Sequence, residues 1–179
     1  MTWEKEAMML SKKVKDLLNA QVNAEFYSAY LYLDFSNYYK DEGLDGYANW
    51  YMIQAQEERD HAMLFIQYLQ QNGESVTLEA IDKPDKKYKS FIDPLKEGAD
   101  HERLVTGLIN TIYGAAHKDN DYRTMQFLDW FVKEQAEEEE NADDNVKKFE
   151  LFGDDAKGLY MLDSEMKARV YTAPSLTLD

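Results

Sequence analysis

The sequence predicts an all-α fold: a four-helix bundle with one long crossover between the second and third helices and a short fifth helix at the C-terminal end. Breaking residues are rare, with 3 Pro and 8 Gly in 179 residues, and they divide the chain into long segments. Within these segments, apolar residues recur three and four positions apart, which is the spacing of one helix face. The composition, 44% hydrophobic and 13% aromatic, is typical of a folded chain. The length predicts a single domain over residues 1–179.

The first two predicted helices are separated by a short polar turn. The first covers about residues 10–39 and ends near Gly43. The second covers about residues 46–72 and stops at Gly73. Glycine just beyond the last periodic residue is a frequent helix stop, because it adopts backbone conformations that other residues avoid.

The remaining helices follow the same rules. The third covers about residues 94–119, and we expect Asp93 to cap it, with Pro94 in its first turn. The fourth covers about residues 121–151, and the short fifth covers about residues 155–168. Nothing in the chain alternates in the way that predicts a series of strands.

The connections predict the topology of the bundle. Helices of some 27 residues are about 40 Å long at 1.5 Å per residue, and short turns make the first and second, and the third and fourth, antiparallel neighbours. The segment of residues 74–92 is too long for a turn and lacks helical periodicity. Extended, it spans up to roughly 60 Å. It can therefore run the length of the bundle and leave the second and third helices parallel.

Charge and cysteine content exclude several classes of function. Twenty Lys and Arg stand against 35 Asp and Glu, which gives a net charge of −15, so we expect no nucleic-acid partner. The chain has no Cys, which excludes disulfides, thiolate zinc sites and iron–sulfur clusters. Any metal must therefore bind to carboxylates, histidine or neutral oxygens. We expect a cytoplasmic protein without a membrane partner, because the first ten residues do not resemble a signal peptide and no apolar run approaches roughly 20 residues.

Polar residues interrupt the apolar face of every bundle helix near its middle. An isolated carboxylate costs several kcal/mol to bury, so a group of them must share a counter-charge. A carboxylate in all four helices is therefore far less expected by accident than one alone. These residues are Glu25, Glu58, Glu102, Gln135 and Glu138.

His61 follows Glu58 by three residues and shares its helix face, which gives a Glu-x-x-His pair of the kind that di-iron bundles use. Oxygen ligands with one imidazole suit non-haem iron better than structural zinc. Tyr32 lies seven residues after Glu25, and we leave open whether it bonds a ligand carboxylate, supplies an electron or is simply core. We expect His101 and His117 to lie at the surface.

The chain resembles the prokaryotic-type, haem-free ferritins over essentially its whole length, including the crossover, the fifth helix and the order of the polar residues above. The resemblance implies a ferritin-like fold and two iron sites that share Glu58 as a bridge. One site would use Glu25, Glu58 and His61, and the other would use Glu58, Glu102 and Glu138 with Gln135 close by.

The resemblance also implies a third iron site on the inner surface, which would use Glu57, Glu134, Glu137 and Glu138. Alone, the acidic run of residues 137–140 predicts only a solvated helix face or a bound cation. Tyr32 matches the family's site tyrosine. The haem-binding relatives carry a methionine after the bridging glutamate and a second Glu-x-x-His in the fourth helix. Here Arg59 and Gln135-x-x-Glu138 stand at those positions, so we expect no haem.

The function implied is a ferroxidase that oxidises ferrous iron with dioxygen or peroxide and stores ferric oxo-hydroxide inside a homo-oligomeric shell of 24 subunits. A rubrerythrin-like or other di-iron oxidase or peroxidase without storage is the alternative, although the absence of Cys removes the rubredoxin module of rubrerythrins. A third interpretation, an acidic helical interaction protein without metal, is disfavoured by the buried carboxylates.

Overall fold

The computed structural model describes residues 10–178, and every regular element in that range is a helix. The predicted all-α fold with four long helices and a short fifth is thereby confirmed. The expectation about a signal peptide in the first residues falls outside the described range. The helices are α1 (Lys12–Asp41), α2 (Asp45–Gln71), α3 (Asp93–Lys118), α4 (Tyr122–Phe152) and α5 (Ala156–Lys167).

Three helices are directly preceded by a capping residue, whose side chain accepts a hydrogen bond from a backbone N–H of the first turn. Ser11, Asp121 and Asp155 each accept from the backbone N–H three residues further on, at 3.2, 3.0 and 2.8 Å. Such a cap is worth about 1 kcal/mol. Past the ends of α1 and α2, Gly43 and Gly73 have φ values of 80° and 72°, a region that glycine occupies without strain.

Asp93 does not cap α3 as the sequence predicts. The helix begins at Asp93 itself, and its carboxylate accepts from the backbone N–H groups of Lys89 and Ser90, at 2.7 and 3.0 Å. These bonds lower the pKa of Asp93. The side chain therefore orders the end of the crossover, while Pro94 occupies the first turn of α3 as expected.

The crossover follows α1 along much of its length. Successive parts of the crossover bond to residues progressively further along α1, which places the start of α3 at the same end of the bundle as the start of α2. The two helices therefore run parallel, as the length of the segment predicts. The bonds are Asn19 with Thr77 at 2.8 Å, Asn23 with Ala80 at 3.1 Å and Asp34 with Tyr88 at 3.2 Å.

The short α5 caps the beginning of α2. Leu44 offers no side-chain cap there, and Asp163 of α5 accepts from the backbone N–H groups of Gly46 and Tyr47 at 2.8 and 3.0 Å. The contact requires glycine, because a Cβ at position 46 would lie 1.6 Å from the Asp163 carbonyl oxygen. The first turn of α2 is thus fixed by a residue 117 positions further along the chain.

Two apolar clusters fill the two ends of the bundle and leave polar residues between them. One cluster packs around Leu18, Phe65 and Phe131, and the other packs around Phe35 and Tyr47. Within the described residues, no helix is long and apolar enough to cross a membrane.

Candidate metal centre

A ring of buried carboxylates occupies the middle of the bundle. Glu25, Glu58, Glu102 and Glu138 come from four different helices, and each exposes 7% of its surface or less. Each sits in place of an apolar residue on its helix face, so packing of the helices brings the four together. We call these four residues the carboxylate ring.

Glu25, Glu58 and His61 form one side of this centre. Each offers a ligand atom, and the three atoms lie within 4.8 Å of one another. His61 Nδ1 is 3.4 Å from Glu58 Oε2. Glu25 Oε1 accepts from Gln21 Nε2 at 2.8 Å, whereas its buried Oε2 accepts no hydrogen bond from any described residue. A buried oxygen without a donor is rare, and it suits a cation that the three groups could hold together.

Glu102 forms the opposite side and is held by two donors. The Tyr32 hydroxyl donates to Glu102 Oε1, and Gln135 Nε2 donates to Glu102 Oε2 at 3.2 Å. Tyr32 therefore bonds a ring carboxylate, one of the alternatives that its position left open, although it is also fully buried among apolar side chains. Glu102 and Glu138 both line a cavity of about 20 Å³, which is room for one particle the size of water.

Gln54 connects two members of the ring and was not predicted as a site residue. Its Nε2 donates to Glu138 Oε2 at 2.7 Å and to Glu58 Oε1 at 3.2 Å. Its Oε1 accepts from Arg169 at 2.8 Å, which fixes the orientation of the amide. The sequence holds a signal for Gln54, because Gln precedes Glu by four residues in both α1 and α2, at Gln21-Glu25 and Gln54-Glu58.

The ring retains protons near neutral pH when no cation is bound. Burial, and next the charge of Glu58, raise the pKa of Glu25 and that of Glu102 to about 8. Burial and a neighbouring ring carboxylate likewise raise the pKa values of Glu58 and Glu138. Cations that bind here must displace those protons, so binding is expected to be weaker at acidic pH.

The residues of the predicted third iron site are divided between two places. Glu57, Glu134 and Glu137 line a pocket of about 370 Å³ between α2 and α4, which also contacts His61. We call it the outer pocket. Glu138 instead turns inward to Gln54 and the ring. In the outer pocket, Arg169 contacts Glu57, and Glu134 Oε1 lies 4.0 Å from His61 Nε2.

His101 does not lie at the surface as the sequence predicts. It is half-buried, its ring contacts Tyr27 and Tyr32, and its Nε2 lies 2.8 Å from Ser28 Oγ. Burial lowers its pKa to about 4, so the ring is neutral. A residue one position off the apolar face of α3 is still covered, because α1 packs close to that edge. His117 is exposed as expected.

The four-helix bundle with its short fifth helix and its central carboxylates defines a ferritin-like class of protein. Residues 15–152 match the family model of the ferritin-like domain. The chain therefore belongs to that family, on the prokaryotic-type, haem-free ferritin branch that the sequence predicts.

Relatives and solved structures support this membership over most of the chain. The bacterial non-heme ferritin of Campylobacter jejuni is 39% identical over 159 residues, which are 89% of this chain and 95% of the relative. The probable bacterial non-heme ferritin-like protein of Haemophilus influenzae is 37% identical over 158 residues, 88% and 96% of the two chains. An engineered closed form of the Archaeoglobus fulgidus ferritin superposes with a TM-score of 0.89 at 40% identity, covering 91% of this chain and 99% of that one.

Proposed function

We propose that the chain is an iron-storage ferritin whose carboxylate ring oxidises ferrous iron, its substrate. The observation that supports this most directly is the buried group of Glu25, Glu58 and His61, whose ligand atoms lie within 4.8 Å of one another beside two further buried carboxylates. A site of oxygen donors and a single imidazole suits ferrous iron. The absence of Cys leaves no thiolate to hold it.

Two ferrous ions would share Glu58. Glu25 and His61 complete one position, and Glu102 and Glu138 complete the other, with Gln135 close by. Together the two ions supply both electrons that dioxygen needs to reach the level of peroxide, or that peroxide needs to reach water. Paired donation avoids the release of one-electron radicals.

Neighbouring side chains prepare the ring for this chemistry. Gln54 orients Glu58 and Glu138, while Tyr32 and Gln135 orient Glu102. Because the ring holds protons when empty, the binding of two divalent ions releases protons and leaves the site close to neutral. Because metal ions replace protons, they should bind to the ring more tightly at neutral pH than at acidic pH.

Storage is the second half of the proposal. The relatives and solved structures that match over about nine-tenths of the chain are themselves described as ferritins. We infer a cytoplasmic single-domain subunit that assembles into a shell of 24 copies, with ferric oxo-hydroxide inside. Glu57, Glu134, Glu137 and Glu138 would form the third iron site. No haem is expected, because the guanidinium of Arg59 has no lone pair to offer haem iron.

The test is to load the purified protein with ferrous iron without oxygen, admit air and count iron per particle. A storage ferritin should retain many more than two iron ions per subunit. Retention of no more than two, with oxidation intact, would contradict storage and would favour a di-iron oxidase or peroxidase. Absence of oxidation above the rate in buffer would contradict both.

A further inference from the structure

The C-terminal segment (residues 168–178) closes over the groove between α2 and α4. It follows α5 and runs in the same direction as α2, so that it covers the outer pocket. Its residues form one side of that pocket, opposite Glu57 and Glu134. Apart from the side chain of Arg169, it is attached by bonds from Asn49 Nδ2 to the Arg169 carbonyl at 3.1 Å, Tyr171 to Asp60 at 2.5 Å, Trp130 to Ser175 at 2.9 Å and Gln67 to the Leu178 carbonyl at 2.8 Å.

Arg169 is the residue of this segment that reaches deepest. Its Nη2 donates to Glu57 Oε2 at 2.5 Å, and its Nη1 donates to Gln54 Oε1 at 2.8 Å and to the Trp50 carbonyl at 3.2 Å. The guanidinium carbon also lies 4.1 Å from the centre of the Trp50 ring. Trp50, Gln54 and Glu57 lie on one face of α2, so a single side chain contacts two turns of that helix. Arg169 and Glu57 are both largely buried, with 17% and 16% of their side chains exposed.

The charge of Arg169 is opposite in sign to that of the glutamates in the outer pocket. Of the described residues that line it, three are glutamates, and Arg169 is the one with a permanent positive charge. A guanidinium in contact with Glu57 satisfies that carboxylate in the way that a metal ion would. A cation bound to the same oxygen would lie within a few ångströms of a like charge, and burial strengthens that repulsion.

We propose that Arg169 is a built-in cation that occupies the Glu57 side of the third iron site, so that an ion binds there only when Arg169 leaves and the C-terminal segment loosens. The inference rests on the proposed function, because the third site belongs to it. Arg169 also holds Gln54, which donates to Glu58 and Glu138. When Arg169 leaves, the Gln54 amide that contacts the carboxylate ring loses its partner. Ion binding in the outer pocket is thereby linked to the ring.

The experiment is an anaerobic calorimetric titration of the assembled protein with Zn²⁺, which serves as a redox-inert probe. Wild type should bind two ions tightly per subunit and a third more weakly. Arg169→Gln should tighten the third ion about tenfold or more, since the competing charge is gone. Lys167→Gln is the matched control, because it removes the same charge from an exposed side chain two residues away and should leave the third ion unchanged.

Two outcomes separate this inference from the proposed function. If the wild type does not bind two ions tightly, the proposed iron sites of the carboxylate ring are contradicted. Two tight ions with a third that binds equally well to wild type and Arg169→Gln would overturn the role of Arg169 alone.

A measurement on wild type tests the movement without a variant. Amide hydrogen exchange in residues 170–178 should speed up as Zn²⁺ increases from two to three ions per subunit, because the segment loses its attachment to Glu57 and Gln54. Exchange that stays constant or slows at the third ion would overturn the proposal.

Discussion

His61 lies one helical turn beyond Glu58 on the same face of α2, with its Nδ1 3.4 Å from Glu58 Oε2. Its other ring nitrogen, Nε2, is 4.0 Å from Glu134 Oε1 in the outer pocket. The imidazole therefore stands between the buried ring and the outer pocket, and it is held there by edge contacts with Trp130 and Phe131.

The stability of the metal-free protein should fall as the pH rises. A carboxyl whose pKa is higher in the folded chain than in the unfolded chain stabilises the fold fully below its unfolded value, and this contribution is lost as the pH rises through the folded value. For Glu25 the two values are 4.5 and about 8. Glu25→Gln should therefore unfold at a higher temperature than wild type at pH 8.5, with the difference shrinking toward pH 5.

The measurement is the thermal midpoint of the metal-free protein across that pH range. Glu137→Gln is the matched control, because it removes the same charge from an exposed position of α4 and should show no such pH-dependent gain. Equal behaviour of the two variants would contradict protonation of the ring.

The Tyr32 hydroxyl should set the pH at which the ring takes up metal. Its hydrogen bond lowers the pKa of Glu102 against the larger effect of burial, so Tyr32→Phe should raise that pKa further. The pH of half-maximal Zn²⁺ binding should then move upward, and the rapid phase of ferrous oxidation should slow about tenfold, the scale of one lost bond to a charged group.

Tyr39→Phe is the control for Tyr32→Phe. The Tyr39 hydroxyl donates to the Phe91 carbonyl at 2.6 Å and has no bond to the ring. The same atom is thus removed from a buried tyrosine of α1 without contact to a ring carboxylate. An equal change in both variants would show that loss of a buried hydroxyl, rather than the bond to Glu102, causes the effect.

Gly46→Ala should destabilise the junction of α2 and α5. The new Cβ would meet the Asp163 carbonyl oxygen at 1.6 Å, so the two helices must separate, at a cost of about 1–3 kcal/mol or more. That corresponds to a drop of roughly 2–12 °C in the thermal midpoint. Gly114→Ala is the control, because nothing lies within 4 Å of its added Cβ and it should stabilise α3 slightly. A Gly46→Ala midpoint equal to that of wild type would contradict the contact.

The assembled protein should be a large shell. Twenty-four subunits of 20.9 kDa give a mass of about 500 kDa, which light scattering on the purified protein measures directly. A monomer or simple dimer under every iron and salt condition would contradict storage, even where ferrous oxidation survived.

Much of the fold could be predicted because its signals are local. Periodic apolar residues with rare Gly and Pro predict the helices, and the length of the crossover predicts its path. The glutamates on the apolar helix faces predict the ring, because a buried carboxylate costs free energy unless a counter-charge offsets it, whereas an exposed carboxylate does not. Gln54 was within reach, because Gln precedes a ring glutamate by four residues in both α1 and α2.

The rest depends on contacts between distant parts of the chain. Arg169 lies 112 residues from Glu57 in a segment without periodicity, and nothing local indicates its contact. Asp163 caps a helix to which it is not adjacent in sequence. His101 was predicted wrongly because the periodicity of α3 marks its own apolar face but not the edge that α1 covers. Asp93 was predicted to cap α3, whereas its carboxylate accepts hydrogen bonds from the backbone that precedes this helix.

The most direct test of the central claim is stopped-flow absorbance of ferrous oxidation at two iron ions per subunit. We predict that wild type shows a rapid phase that saturates at two ions, and that Glu58→Ala loses it because the shared ligand is gone. Glu134→Ala should retain that first phase and change only the later turnover of iron. A rapid phase of wild-type rate in Glu58→Ala, with its loss in Glu134→Ala, would contradict the assignment of the carboxylate ring as the site of oxidation.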